Sequence, residues 1–378
     1  MTTHPPRARD LGIELRGTPG PLNAITDVAG VEVGYATLVE GDGPLTVGEG
    51  PVRTGVTAIL PRGREGVGIP CSAARFSLNG NGEMTGSAWI DEVGELSLPI
   101  TISNTHAVGA CHTGVIEWVN AVHPQLARQW LLPVCAETWD GYLNDINEGH
   151  VTPAVARHAL DAAHGGALEE GSVGGGTGMN CYGFKGGSGT SSRLVPFGDT
   201  TFTVGVFVQA NFGSRDELTI TGTPVGQLAD VENDMETTDW LQRDLNAPGG
   251  AGSVIVVVAT DAPLNANQCK GLARRVPLGL ARTGTTGSLF SGDLFLAFST
   301  ADQGPSRTGF PVGEAHDDEI HSVRQLPWNR VDAFYAATVY AVEEAVLNAL
   351  VVNETMVGRD GHRSPALPHD LIRRLLDS

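Results

Sequence analysis

Residues Asn246–Pro263 read NAPGGAGSVIVVVATDAP. A stretch of glycines with one proline gives way at Ser253 to five consecutive branched aliphatics, Val254 to Val258. The first part is turn chemistry and the second a strand buried on both faces. A buried strand needs no hydroxyl at its first position. One reading makes Ser253 a plain strand start that satisfies a backbone group. The other has the chain cut between Gly252 and Ser253, which turns Ser253 into an N-terminus and a nucleophile together. An α-amino group has a pKa near 7.7 to 8.0, so close to neutral pH it serves as a base on the same residue, with no histidine needed. Gly252 suits such a cut because it lacks a Cβ and leaves its carbonyl open to attack.

Working outward, six β-rich segments appear: Val31 to Gly34, Gly55 to Leu60, Leu98 to Ser103, Thr201 to Ala210, Ser253 to Thr260 and Asp293 to Ser299. Helical periodicity marks Gly114 to Leu132, Thr152 to His164, Asn265 to Arg282 and Val331 to Val352. The last is nearly all apolar or alanine apart from Glu343 and Glu344, so it packs on a sheet with little exposed face. Strands and helices come in blocks, without an internal repeat or a linker, which predicts one integrated α+β domain of layered type over residues 1–378.

Composition narrows the function. The formal charge is −19, from 24 Lys and Arg against 43 Asp and Glu. Phosphate binding requires clustered cations, so no nucleic-acid partner is expected. The N-terminal segment has no apolar signal-like core, and no run approaches the roughly 18 apolar residues of a membrane span, which predicts a cytoplasmic location and no membrane partner. Five scattered cysteines without a C-x-x-C pair read as reduced, buried thiols. Glycine numbers 50 of 378 residues, about 13% against a usual value of about 7%. These glycines punctuate apolar strands, marking tight loops on a rigid scaffold.

Two glycine-rich stretches fail as phosphate loops. In SLNGNGEMTG the glycines Gly80, Gly82 and Gly86 miss the G-x-G-x-x-G spacing, and in SVGGGTGMNCYGFKGGSGTSSR Lys185 precedes the glycines that should lead to it. No H-E-x-x-H occurs, and HDDEIH (His316 to His321) reads as a solvated loop, so neither metal nor cofactor is expected. There is no G-x-S-x-G elbow either. A catalytic serine here needs activation from elsewhere.

Three other segments carry candidate chemistry. Ser291 and Asp293 stand two apart at the start of an apolar strand, so that a hydroxyl and a carboxylate emerge together and orient a Ser253 ammonium; a plain Ser-Gly-Asp turn is the alternative. Asn211 ends the strand in FVQANFG, where its amide is placed to donate to an oxyanion or simply to take a left-handed turn conformation. CAETWDGYLND offers Glu137, Trp139, Asp140 and Tyr142: a carboxylate within an aromatic wall for a substrate ammonium, or a solvated acidic loop over a packed tryptophan.

Taken as an ordered set, NAITDVAGVEVGY, RTGVTAILPRG, LNGNGEMTG, SNTHAVGACHTGV, ETWDGYLND, VGGGTGMNCYGFKGGSGTSSR, VQANFG, GSVIVVVATDAP, RRVPLGLARTGTTGS and SGDLFLAF resemble the L-aminopeptidase/D-amidase-esterase and β-aminopeptidase family of self-processing N-terminal serine hydrolases. The resemblance covers nearly the whole chain. It implies an αββα sandwich, two stacked sheets between helical layers, similar to N-terminal nucleophile hydrolases with different connectivity. It implies cleavage into residues 1–252 and 253–378, with Ser253 as nucleophile, Ser291 and Asp293 as its supporting pair, Asn211 as oxyanion donor, Glu137 as the carboxylate for the substrate ammonium, and Tyr142 as pocket wall or second oxyanion contact. Small peptides, amino-acid amides and esters are the implied substrates, and a homo-oligomer, a tetramer, the implied assembly. Two rivals stand beside this expectation: an acyltransferase of the same fold, resembling ornithine acetyltransferases, and a non-enzymatic ligand-binding protein.

Overall fold

The computed structural model describes residues 5–237, 252–301 and 322–376. In chain order the strands among the described residues are β1 (Glu32–Glu40), β2 (Val52–Leu60), β3 (Cys71–Ser77), β4 (Glu95–Leu96), β5 (Ile100–Asn104), β6 (Val134–Thr138), a small hairpin of β7 (Asn180–Cys181) and β8 (Phe184–Lys185), then β9 (Gly187–Phe197), β10 (Thr200–Asn211), β11 (Ser253–Thr260), β12 (Gly292–Ser299) and a last short pair, β13 (Met356–Val357) and β14 (Arg363–Ser364). Four of them form a sheet in the order β1-β2-β5-β6, and six form a second sheet in the order β4-β3-β12-β11-β10-β9.

The apolar residues of β11 show why the sheets must stack. Ile255, Val257 and Ala259 enter a core with Phe207, Leu296 and Phe298 from their own sheet and Val33, Ile59, Ile100 and Ile102 from the other. Val254, Val256 and Val258 point the opposite way, into a core shared with Phe334, Ala341, Ala345 and Leu350 of the helix Asp332–Val351 and with Leu272 and Val276. On the far side of the first sheet, Val56, Ala58 and Cys135 pack against Cys111, Val115 and Trp118 of the helix Val108–Val122 and against Ala156 and Leu160 of the helix Pro153–Asp161. The layers therefore run helix, sheet, sheet, helix, the expected αββα sandwich. Alternation along a doubly buried strand leaves no polar face, which is why this run reads as uninterrupted aliphatics.

The helix Asp332–Val351 is long and apolar enough to cross a membrane by composition alone, yet 78% of its apolar window is buried in the protein. Its two acids are paired. Glu344 accepts from Arg9 and Arg193, Glu343 from Arg282. All five cysteines are buried and unpaired, and burial pushes the Cys71 thiol up to about 11.

Two expected helices are revised. The one expected over Gly114 to Leu132 begins earlier, at Val108, fed by a 3-10 turn that the Asn104 side chain caps through the N–H groups of His106 and Ala107, and it ends before Pro124. The one expected over Asn265 to Arg282 is two helices, Ala266–Ala273 and Val276–Ala281, divided just ahead of Pro277, which has no N–H to continue the first. Strands β3, β6 and β9, and the two-residue strands, lie outside the six expected segments. β9 carries Gly187, Gly189 and four Ser or Thr residues because the Asp332–Val351 helix lies almost on its backbone: a Cβ at Gly189 would sit 2.1 Å from the Ala345 carbonyl oxygen. The loop residues 246–251 and the HDDEIH stretch lie outside the described residues.

Candidate active site

Ser253 is the first residue of β11 and lies between two neighbours. On one side β10 runs antiparallel with Asn211 opposite Ser253; on the other β12 runs parallel with Gly292 opposite it. Alternation places Ser253 with Ile255 and Val257 on the face between the sheets, and Asn211 with Phe207 and Gln209 on that same face. The first sheet completes the enclosure through the residue that follows β6. The Trp139 N–H donates to Ser253 Oγ at 3.0 Å, and Asn211 Nδ2 approaches the same oxygen at 3.4 Å while donating to the Trp139 carbonyl at 2.9 Å. The serine hydroxyl, only 2% exposed, therefore sits under two N–H donors from opposite sheets.

Asn211 is not free to turn. Its Oδ1 accepts from the Asn180 N–H at 2.9 Å, which fixes the amide with its NH₂ toward Ser253. The end of β12 serves the preceding residue instead: the Gly292 N–H donates to the Gly252 carbonyl oxygen at 3.1 Å. Gly252 must be glycine for reasons of space. Its φ is not positive, but a Cβ there would lie 2.3 Å from the Asn211 carbonyl oxygen and 2.9 Å from Phe212 Cα.

Ser291 and Asp293 come together as expected, Ser291 Oγ donating to Asp293 Oδ1. Ser291 lies one residue ahead of β12, and Asp293 shares its strand face with Phe295 and Ala297, the face toward the helices. The pair makes no hydrogen bond to Ser253 in the uncut chain; its nearest tie is the Val254 backbone N–H, which reaches the Asp293 carboxylate. Burial raises the Asp293 pKa, opposed by hydrogen bonds from Ser291, Asn79 and Val254.

Glu137, on β6, is buried, with Oε1 accepting from the Glu83 N–H at 2.9 Å and Oε2 from the Thr105 hydroxyl. Its pKa is raised, first by desolvation, with the Thr105 and Glu83 hydrogen bonds opposing. Tyr142 stands apart from the serine. Its ring stacks on His362 at 4.6 Å and packs in a small cluster with Leu143 and Trp139, and its hydroxyl donates to the Arg363 carbonyl at 3.2 Å.

The residues that sequence reasoning missed sit in SLNGNGEMTG, the stretch rejected as a phosphate loop. Asn79 Nδ2 donates to Asp293 Oδ2 at 3.0 Å while its Oδ1 accepts the Asp293 N–H at 2.7 Å. Asn81 Nδ2 reaches the Phe290 carbonyl, and a Cβ at Gly82 would touch both Glu137 Oε1 and Gly292 Cα at 3.1 Å. This loop thus braces the Ser291–Asp293 pair and Glu137 at once. Its glycines allow close approach between backbones, a need that a search for phosphate spacing does not detect. The Trp139 N–H was hidden for a different reason: every residue has one.

The profile of peptidase family S58 matches residues 23–364. The β-peptidyl aminopeptidase BapA of Sphingosinicella microcystinivorans is 46% identical over 98% of this chain and 92% of its own length. Among solved structures, the L-aminopeptidase D-Ala-esterase/amidase of Ochrobactrum anthropi, described as a prototype of the serine aminopeptidases and a variant of the Ntn hydrolase fold, superposes with a TM-score of 0.87 at 44% identity over 98% of each chain. A β-aminopeptidase from a Burkholderia species superposes with a TM-score of 0.85 at 41% identity, again over 98% of each chain.

Proposed function

From the premise that this chain belongs to peptidase family S58, we propose that it is an aminopeptidase and amidase whose nucleophile, Ser253, is released by self-cleavage after Gly252. In the uncut chain the Gly292 N–H on the Gly252 oxygen polarises the carbonyl to be attacked. Ser253 Oγ adds to that carbonyl carbon and the C–N bond to Ser253 breaks, leaving an ester on Oγ and a free amine. Water then hydrolyses the ester. The proton of Oγ needs an acceptor before any amine exists. We assign that step to the Ser291–Asp293 pair, which flanks Gly292 beside Ser253 and is reached only when the Ser253 hydroxyl turns away from the Trp139 N–H.

In turnover the substrate's ammonium binds Glu137, whose buried carboxylate gains from an arriving cation what desolvation cost it. Ser253 Oγ attacks the amide or ester carbonyl, and the Ser253 amine takes the hydroxyl proton and passes it to the leaving group. Water releases the acyl residue by the same route. The Trp139 N–H and Asn211 Nδ2, which stand beside Oγ in the uncut chain, are placed to donate to the substrate carbonyl oxygen as it gains charge. Tyr142, packed against Trp139, acts as wall. The single observation that carries this reading is the double donor set on a serine that opens its strand, with the carbonyl before it held by Gly292.

The substrates are short peptides, amino-acid amides and esters with a free amine, and the relatives named as β-peptidyl aminopeptidase and L-aminopeptidase bracket the acyl residue between β and α types. Five unpaired buried thiols suit a cytoplasmic location, and exposed Trp130 and Leu289 suit burial in a homo-oligomer. The test is a matched pair of amino-acid anilides, one free and one N-acetylated, with product analysis in the presence and absence of an added amino-acid acceptor. Hydrolysis confined to the free amine is expected. Equal turnover of both removes the ammonium-recognition claim, and acyl transfer to the acceptor in place of hydrolysis removes the hydrolase claim.

A further inference from the structure

Lys185 and Lys270 are the two lysines of the chain, which otherwise takes its cations from arginine. Lys185 is wholly buried, and among the described residues no carboxylate pairs with it. Its Nζ donates instead to two backbone carbonyls, those of Met179 at 2.9 Å and Gly186 at 2.7 Å. Burying an ammonium with only neutral acceptors is costly, and a core of this size could be closed by an apolar residue at no such cost. The cation needs a purpose other than packing.

The peptide unit that Lys185 holds gives one. The Met179 carbonyl and the Asn180 N–H belong to the same amide. Lys185 binds the oxygen of that amide, and its N–H donates to Asn211 Oδ1 at 2.9 Å. Asn211 is itself an amide, whose Nδ2 faces Ser253 Oγ and the Trp139 carbonyl. Two amides in series thus connect the Lys185 amine, whose pKa burial lowers to about 7, to the nucleophile's oxygen, and the polarisation is strongest while that amine holds its proton. Drawing electron density toward a carbonyl oxygen makes the N–H of the same amide a stronger donor, and each hydrogen bond in such a chain polarises the next. The β7–β8 hairpin supplies the geometry: the Gly186 N–H also donates to the Met179 carbonyl, so the lysine and the peptide it polarises are held by one turn.

We propose that Lys185 is a positioning residue for Asn211: through the Met179–Asn180 peptide it fixes the orientation of the Asn211 amide and strengthens its NH₂ as the donor to the oxyanion. This rests on the reading of Asn211 as oxyanion donor. Lys185 touches neither substrate nor Ser253, and its effect is on the transition state, not on ground-state binding.

The test is a double-mutant cycle in the full-length protein, with Lys185→Met, Asn211→Ala and the pair, each read for kcat and KM on one free-amine anilide beside thermal midpoint. Lys185→Met is expected to lower kcat about tenfold with KM within about twofold, the size carried by one charge-assisted hydrogen bond. In the Asn211→Ala background the same change is expected to do nothing further, within about twofold. An equal further loss of kcat in that background overturns the relay and leaves the Asn211 reading intact. An Asn211→Ala enzyme with unchanged kcat overturns the Asn211 reading and the relay with it. Lys185→Gln, which keeps one donor to a carbonyl, runs the same cycle where the methionine variant does not fold, with the same two contradicting outcomes.

Discussion

The two strands beside Ser253 do different work. β10 brings Asn211 to the hydroxyl, on the face between the sheets, while β12 brings the Gly292 N–H to the carbonyl before the serine and carries Asp293 on the face toward the helices. One neighbour attends to the serine hydroxyl and the other to the peptide bond ahead of it. The contrast follows from strand alternation: neighbours paired with the same residue can offer a side chain on its own face or a backbone group in the ladder. On the proposed mechanism, making the nucleophile and using it can therefore be impaired separately.

The largest effect that sharpens this division is expected from Asn211→Ala. Removing an oxyanion donor lowers kcat by about 10²–10³-fold, and steady-state kinetics on protein already cleaved in full measures it. Slowed cleavage followed by normal turnover of the cleaved protein would reverse the assigned roles. Asp293→Asn is expected to slow self-cleavage by about tenfold or more, as loss of a proton acceptor does, followed as appearance of the shorter chain on a denaturing gel. The same variant carries a stability signature. Because the Asp293 pKa is raised in the folded protein, its protonated form favours folding: that contribution is complete below the unfolded aspartate value of about 3.9 and is lost as pH rises through the folded one. Thermal midpoints of Asp293→Asn against pH are therefore expected to equal or exceed wild type at neutral pH and to lack that acid-side gain.

Asn79→Ala is expected to act in the same direction as Asp293→Asn and less strongly, by a few-fold, because it frees the carboxylate without removing it. The smallest effect is expected from Tyr142→Phe. Its hydroxyl serves the Arg363 carbonyl, so stability falls by about 1 kcal/mol and kcat stays within about threefold; a drop of kcat as large as that of Asn211→Ala would make Tyr142 the second oxyanion contact in place of a wall.

The sequence read most clearly where apolar pattern alone decides structure. β11 spans the expected Ser253–Thr260, its aliphatic run with the residues that flank it, and β12 begins a single residue earlier than expected. The Asp332–Val351 helix was legible because its apolar residues leave little exposed face. β9 was not, because a strand pressed against a helix must be small, and Gly, Ser and Thr in a row look like a loop. The site divides similarly. Ser253, Asn211, Glu137 and the Ser291–Asp293 pair stand out as polar residues at the edges of buried strands. The Trp139 and Gly292 N–H groups carry no side-chain signal, and Asn79 lies 214 positions from the carboxylate it holds, a contact that only the pairing of β3 with β12 creates.

The account stands most directly on the bond between Gly252 and Ser253. N-terminal sequencing combined with intact mass of the purified protein reads that bond without any substrate. The predicted result is a second N-terminus at Ser253, with fragments of 252 and 378 − 252 = 126 residues, and a single uncut chain for Ser253→Ala. An active protein that remains one chain of 378 residues would contradict it.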